Sequence, residues 1–156
     1  MATDEVRRLY GLPPDRFTTE RNALAKRLRE SGDAEAAADV AALRRPPLSA
    51  WAVNQLVRER TPLLGDLWKA GDRLRKAHAG KGDFRTALEA EREALDSLVA
   101  SAAELLERGG HATADATLQR VRGTLQAAAA DTDARAVVEQ GMLEEDLEPP
   151  GFEALG

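Results

Sequence analysis

Between residues 62 and 130 apolar side chains recur at alternating steps of three and four, the spacing that lines one face of an α-helix. Leu64, Leu67, Gly71, Leu74 and His78 make one row. Phe84, Leu88, Glu91, Leu95, Leu98, Ala102 and Leu105 make a second, and Ala114, Leu118, Val121, Leu125 and Ala128 a third. Glycine-bearing breaks at residues 80–82 and 109–110 separate the rows. In an antiparallel hairpin, facing residues have numbers that add to a constant. About Lys81 the first two rows pair 78 with 84, 74 with 88, 71 with 91, 67 with 95 and 64 with 98. About Gly109-Gly110 the next two pair 105 with 118, 102 with 121, 98 with 125 and 95 with 128. Apolar positions meet apolar positions at both turns, which predicts an all-α fold built on an antiparallel up-down-up three-helix bundle over residues 62–130.

Glu91 interrupts this pattern, because the same register sets it opposite Gly71 on the seam. A carboxylate there either reaches water from the seam edge or forms a buried polar junction, since unpaired burial costs several kcal/mol. For the junction, the expected donors are Trp51, Asn54 or Gln55 from the preceding helix. Gly71, with Ala70 and Ala77 near it, suits close helix approach, either within the hairpin or in a homo-oligomer.

Caps and breakers organise the remainder. Thr3, Thr18 and Asp33 are candidate helix starts, and Gly11, Gly32 and Pro46-Pro47 are stops. The third helix is expected to end at Arg44-Arg45, two cations suited to a carboxyl end. A fourth runs from about Ser49 to Arg60, and Thr61-Pro62 opens the fifth. The expected organisation is one helical domain over 1–141, with N-terminal helices over 1–61 and a short terminal helix over 131–141. Residues 142–156, GMLEEDLEPPGFEALG from Gly141 on, read as an acidic flexible tail. Within it Leu147, Phe152 and Leu155 are candidate docking residues.

Only 4% of the 156 residues are aromatic, so the core must rest on leucine, valine and alanine. With no cysteine, disulfides, thiolate metal sites and cysteine nucleophiles are excluded. The first residues lack a basic start followed by an apolar run, and no stretch approaches the roughly 18 apolar residues of a membrane span, so a cytoplasmic protein with no membrane partner is expected. The net charge of −5 conceals an asymmetry, +4 over residues 1–80 and −9 over 81–156. Such polarity steers acidic partners to the first half and basic ones to the second, though solvated helix faces often look alike.

The segment from Arg44 to Arg60, RRPPLSAWAVNQLVRER, carries the most distinctive chemistry. Trp51, Asn54, Gln55, Arg58, Arg44 and Arg45 are the candidate partner-binding residues. Trp51 reads first as a packing anchor with its N–H satisfied. Asn54 and Arg58 read as outward-facing contacts. A helix, a turn and a helix bearing asparagine, glutamine and arginine also suit base reading, although Pro46-Pro47 is a poor turn for it. No phosphate loop, nucleophile elbow or paired Glu-x-x-His motif occurs, and neither catalytic, cofactor-binding nor metal-binding residues are nominated.

The segments LYGLPPDRFTTERNALAKRLRESGD, LRRPPLSAWAVNQL and AAAADTDARAVVEQGMLEEDLEPPGFEALG resemble an uncharacterised all-helical family from high-GC bacteria. That resemblance implies a helical scaffold and no activity, cofactor or catalytic residue. The expected function is a non-enzymatic protein-interaction or adaptor domain whose partner is another protein. The alternative is a nucleic-acid-associated factor using Arg44, Arg45, Asn54 and Arg58.

Overall fold

A computed structural model describes residues 3–149, and among them all regular structure is helical. The α-helices are α1 (Thr3–Leu9), α2 (Phe17–Glu30), α3 (Ala34–Ala41), α4 (Leu48–Glu59), α5 (Thr61–His78), α6 (Phe84–Arg108), α7 (Asp115–Ala130) and α8 (Thr132–Glu139). Their starts follow the side-chain chemistry. Asp33, Asp83 and Asp131 each precede a helix and accept a hydrogen bond from a first-turn N–H. Pro47 and Pro62 supply the fixed φ that suits α4 and α5 entry. The third helix stops at Ala41, so Arg44 and Arg45 lie in the extended link to α4 instead of capping a helix.

Two apolar clusters form the interior. The smaller joins α1, α2 and α3 through Val6, Leu9, Tyr10, Phe17, Leu24 and Val40, with Tyr10 edge-on to Phe17 at 5.3 Å. The larger joins α4 to α8 and includes Leu56, Leu67, Leu98, Leu106, Leu125 and Val138. The core is therefore not confined to the three long helices. Every residue from Ser49 to Leu56 is buried, and α4 touches α5, α6, α7 and α8. A helix enclosed on all sides must satisfy each polar side chain internally.

Residues 142–149 also belong to the fold, which revises the expectation of a free tail from 142 onward. Leu143 is buried and Leu147 packs against the larger cluster, so two apolar anchors flank the acidic residues between them. Phe152 and Leu155 lie outside the described residues.

Where α7 ends, Gly71 is indispensable. A Cβ at this position would overlap the Ala129 carbonyl oxygen and crowd its carbonyl carbon at 3.1 Å. Both are backbone atoms, so relief requires moving a helix. Gly71→Ala is therefore expected to lower stability by about 1–3 kcal/mol, although alanine favours helix by roughly 1 kcal/mol. Urea unfolding gives the comparison, and an unchanged or raised midpoint would contradict this packing.

Candidate functional site

The polar residues of α4 do assemble into one constellation, but it faces the protein and not a partner. Trp51 donates its Nε1–H to the Leu12 carbonyl at 2.8 Å. Gln55 donates to the Tyr10 carbonyl at 2.8 Å and to the Trp51 carbonyl at 3.1 Å. Asn54, fully buried, donates to the Leu143 carbonyl at 3.1 Å and accepts from the Leu143 N–H at 2.9 Å. Ser49 donates to Asp146 at 2.9 Å. One helix thus grips the loop after α1 on one side and residues 143–146 on another.

Arg58 completes the arrangement. Its guanidinium donates to the carbonyls of Asn54 at 3.0 Å, Gly141 at 2.8 Å and Arg7 at 2.7 Å. Two glycines make room for it, since a Cβ on Gly11 or on Gly141 would come within 2.9 Å of its nitrogens. Gly141 also has φ +68°, a left-handed conformation that disfavours other residues. Desolvation, with Arg7 nearby, lowers the Arg58 pKa from its ordinary value. Asn54 and Arg58 are therefore not outward-facing contacts: Asn54 satisfies both buried backbone groups of Leu143, and Arg58 ties α4 to the Arg7 and Gly141 carbonyls. Sequence periodicity placed them beside the apolar face and could not show that α4 has no solvent side over residues 49–56.

The acidic segment is held by charge as well. Arg44 pairs with Glu144 at 3.2 Å and with Glu145 at 3.7 Å, and Tyr10 donates its hydroxyl to Glu144 at 3.2 Å. Burial first, then the Glu144 carboxylate, drives the Tyr10 pKa well above the ordinary phenol value. Thr124 on α7 accepts from the Leu147 N–H at 3.0 Å. Arg45 is exposed, so of the expected basic and amide set it alone stands unengaged at the surface.

Glu91 is half-buried on α6, and its donors are not those expected. Trp51, Asn54 and Gln55 are committed elsewhere, and the basic side chains near Glu91 are Arg75 and His78 of α5. Burial raises its pKa, and these neighbours, Arg75 first, partly offset the rise.

Glu91 sits where α5 and α6 outrun the rest of the protein. α7 lies along both helices and ends beside Gly71, and Asp131 then turns the chain into α8. Arg75 caps that end by donating to the Ala129 carbonyl at 2.6 Å. α8 is clasped to α5 by Arg135, which pairs with Asp72 at 3.0 Å and lies 5.1 Å from the Trp68 ring centre. Beyond this level the seam row continues through Leu74, His78, Phe84, Leu88 and Glu91 with no third helix over it. Phe84 is 45% and Leu88 37% exposed, two of the three exposed large apolar side chains among the described residues. His78 and Phe84 stack edge-on at 5.0 Å across the turn. The row was legible in sequence; that it outlasts its covering helix was not.

A cleft of about 200 Å³ beside Trp51 is lined by Glu59, Arg108 and His111 among others. It falls below the ~300 Å³ of small-molecule sites, and Arg108 already spans both Glu59 oxygens at 2.6 Å. No three His, Cys, Asp or Glu side chains converge as a metal site among the described residues. None of the helices described is long and apolar enough to cross a membrane. No protein-family model, curated protein or solved structure matches the chain.

Two predictions follow from this geometry. Asn54→Ala leaves the Leu143 N–H and carbonyl unpaired in the interior, and is expected to cost about 2–4 kcal/mol in thermal or urea unfolding; a loss under 0.5 kcal/mol would show that water replaces the amide. Because the folded-state pKa of Glu91 lies above its unfolded value, ionising it disfavours the fold. The advantage of the protonated form is complete below the unfolded pKa and disappears as pH rises through the folded one. Glu91→Gln should therefore gain stability over the natural protein as pH rises through the carboxylate range, and a difference independent of pH would contradict the assignment.

Proposed function

We propose that this protein is a non-enzymatic helical interaction or adaptor domain, and that it receives its partner on the projecting tip of α5 and α6. The single observation that carries this reading is the exposed pair Phe84 and Leu88, one turn apart on α6, with half-buried Leu74 of α5 in the same row. It continues the same seam that α7 covers lower down. Scattered apolar side chains on a surface need no explanation, whereas a contiguous strip in register with a buried seam suits a helix laid into it. The body supplies rigidity: α4 holds the loop after α1 and residues 143–146, and the tip presents Phe84 and Leu88 outward.

The polar set that suggested nucleic-acid reading favours no second proposal, because Asn54 and Arg58 face inward and Arg44 is paired with Glu144. A photoreactive amino acid placed at position 88 in the producing cell tests the proposal. Discrete crosslinked protein adducts are expected at 88, removed by Phe84→Ser and absent from the same probe at Val137, which is 46% exposed but lies away from the tip, on α8 beside Ala130 and Ala134. Equal adduct formation at 88 and 137, or none at 88, would contradict it.

A further inference from the structure

Residues 142–149 form a strap that lies across α4 and α7. We infer that the groove beneath it is a peptide-recognition site, which takes the strap of a second copy of this chain in exchange for its own. The strap has the properties of a bound peptide. Among the described residues, 142–149 make no backbone–backbone hydrogen bond, and the last such bond before them runs from the Gly141 N–H to the Val138 carbonyl at 2.9 Å. Two side chains read the strap backbone instead. Asn54 pairs with both backbone groups of Leu143, and the Thr124 hydroxyl accepts from the Leu147 N–H at 3.0 Å and donates to its carbonyl at 3.3 Å. Main-chain pairing of this kind supplies affinity and leaves specificity to the side chains.

Specificity is read at each position between the two leucines. Leu143 and Leu147 enter the larger apolar cluster, and Met142 packs on the smaller one. Each acid between them meets a donor: Glu144 has Tyr10 and Arg44, Glu145 has Arg44, and Asp146 has Ser49. Pro149 lies against Gly123 of α7, 3.4 Å from where a Cβ would stand. The groove cannot stand empty, because Asn54 would lose both of its partners in the interior. A foreign segment has to reproduce all of these contacts, whereas the strap of a neighbouring copy brings them unchanged.

Exchange requires a pivot, and Gly141 is placed as one. It joins α8 to the strap with φ +68° and lies under the Arg58 guanidinium, which donates to its carbonyl at 2.8 Å. The contacts of the strap are the same in its own groove and in a neighbour's. The balance between the two therefore depends on this turn and on concentration.

The natural chain has no cysteine, so two full-length variants test the proposal. Ser49→Cys marks the groove and Asp146→Cys marks the strap, at side chains whose oxygens are 2.9 Å apart. Mixed, refolded together at about millimolar concentration and mildly oxidised, they are expected to form a disulfide-linked heterodimer. Its yield should exceed by roughly tenfold that of a control pairing Asp146→Cys with Glu89→Cys on the exposed side of α6, and Leu143→Asp in the strap-marked chain should remove it. Gly141→Pro cannot adopt the left-handed turn and lacks the N–H that bonds to Val138. This variant should sediment as a dimer with its helical circular dichroism retained. Heterodimer at the control level would overturn the proposal, as would a folded Gly141→Pro protein that sediments as a monomer. Capture of the groove cysteine by a cysteine-bearing acidic peptide of different sequence, as efficiently as by the strap, would overturn it in favour of a foreign ligand.

Discussion

A helix with no solvent side is the constraint on which this molecule depends. From Ser49 to Leu56 every residue of α4 is buried, yet four of those eight are serine, tryptophan, asparagine and glutamine. Each brings a polar group into the interior, and an unpaired buried group costs roughly 1–3 kcal/mol. The fold resolves this by bringing backbone to the helix. The loop after α1 delivers the Tyr10 and Leu12 carbonyls, and the segment after α8 delivers both backbone groups of Leu143. Segments far apart in sequence thus become interdependent, because each completes the hydrogen bonding of the same helix.

Satisfaction inward has a consequence for function. Side chains that look like a reading head are consumed as struts, and the acidic segment that looks like a solvated tail is a strap bonded to Tyr10, Arg44, Ser49 and Thr124. The end of the α5–α6 hairpin is different, with Phe84 and Leu88 left exposed. There the packing rule of the body persists after the helix that fulfils it has turned away at Asp131. The interaction surface proposed for this protein is the unfinished end of its own core.

The helices were legible because their signals are local. Aspartates 33, 83 and 131 cap where they stand, and the three apolar rows predict α5, α6 and α7 closely. The polar contacts were not legible for a physical reason: Asn54 bonds to backbone at Leu143, and backbone groups leave no trace in side-chain patterns. Arg58 is a partial exception. Gly11 and Gly141 make way for it, but a glycine in sequence announces a turn more readily than a distant guanidinium. Glu91 stands out in sequence as the one acid in its row, but its basic neighbours Arg75 and His78 come from the facing helix of the hairpin and not from α4. The acid-rich composition of residues 142–149 pointed to solvent because composition weighs the charges of Glu144, Glu145 and Asp146 above the two leucines that anchor the segment.

Amide hydrogen exchange at Leu143 and Leu147 tests the central claim most directly, since these N–H groups are held by Asn54 and Thr124 and by nothing else in the segment. If α4 binds the strap as part of the cooperative core, both amides exchange slowly, with Leu143 approaching the slowest amides of α4 itself. Exchange at the rate of an unstructured peptide while α4 stays protected would contradict the account, because α4 would then be stable with its buried asparagine unserved.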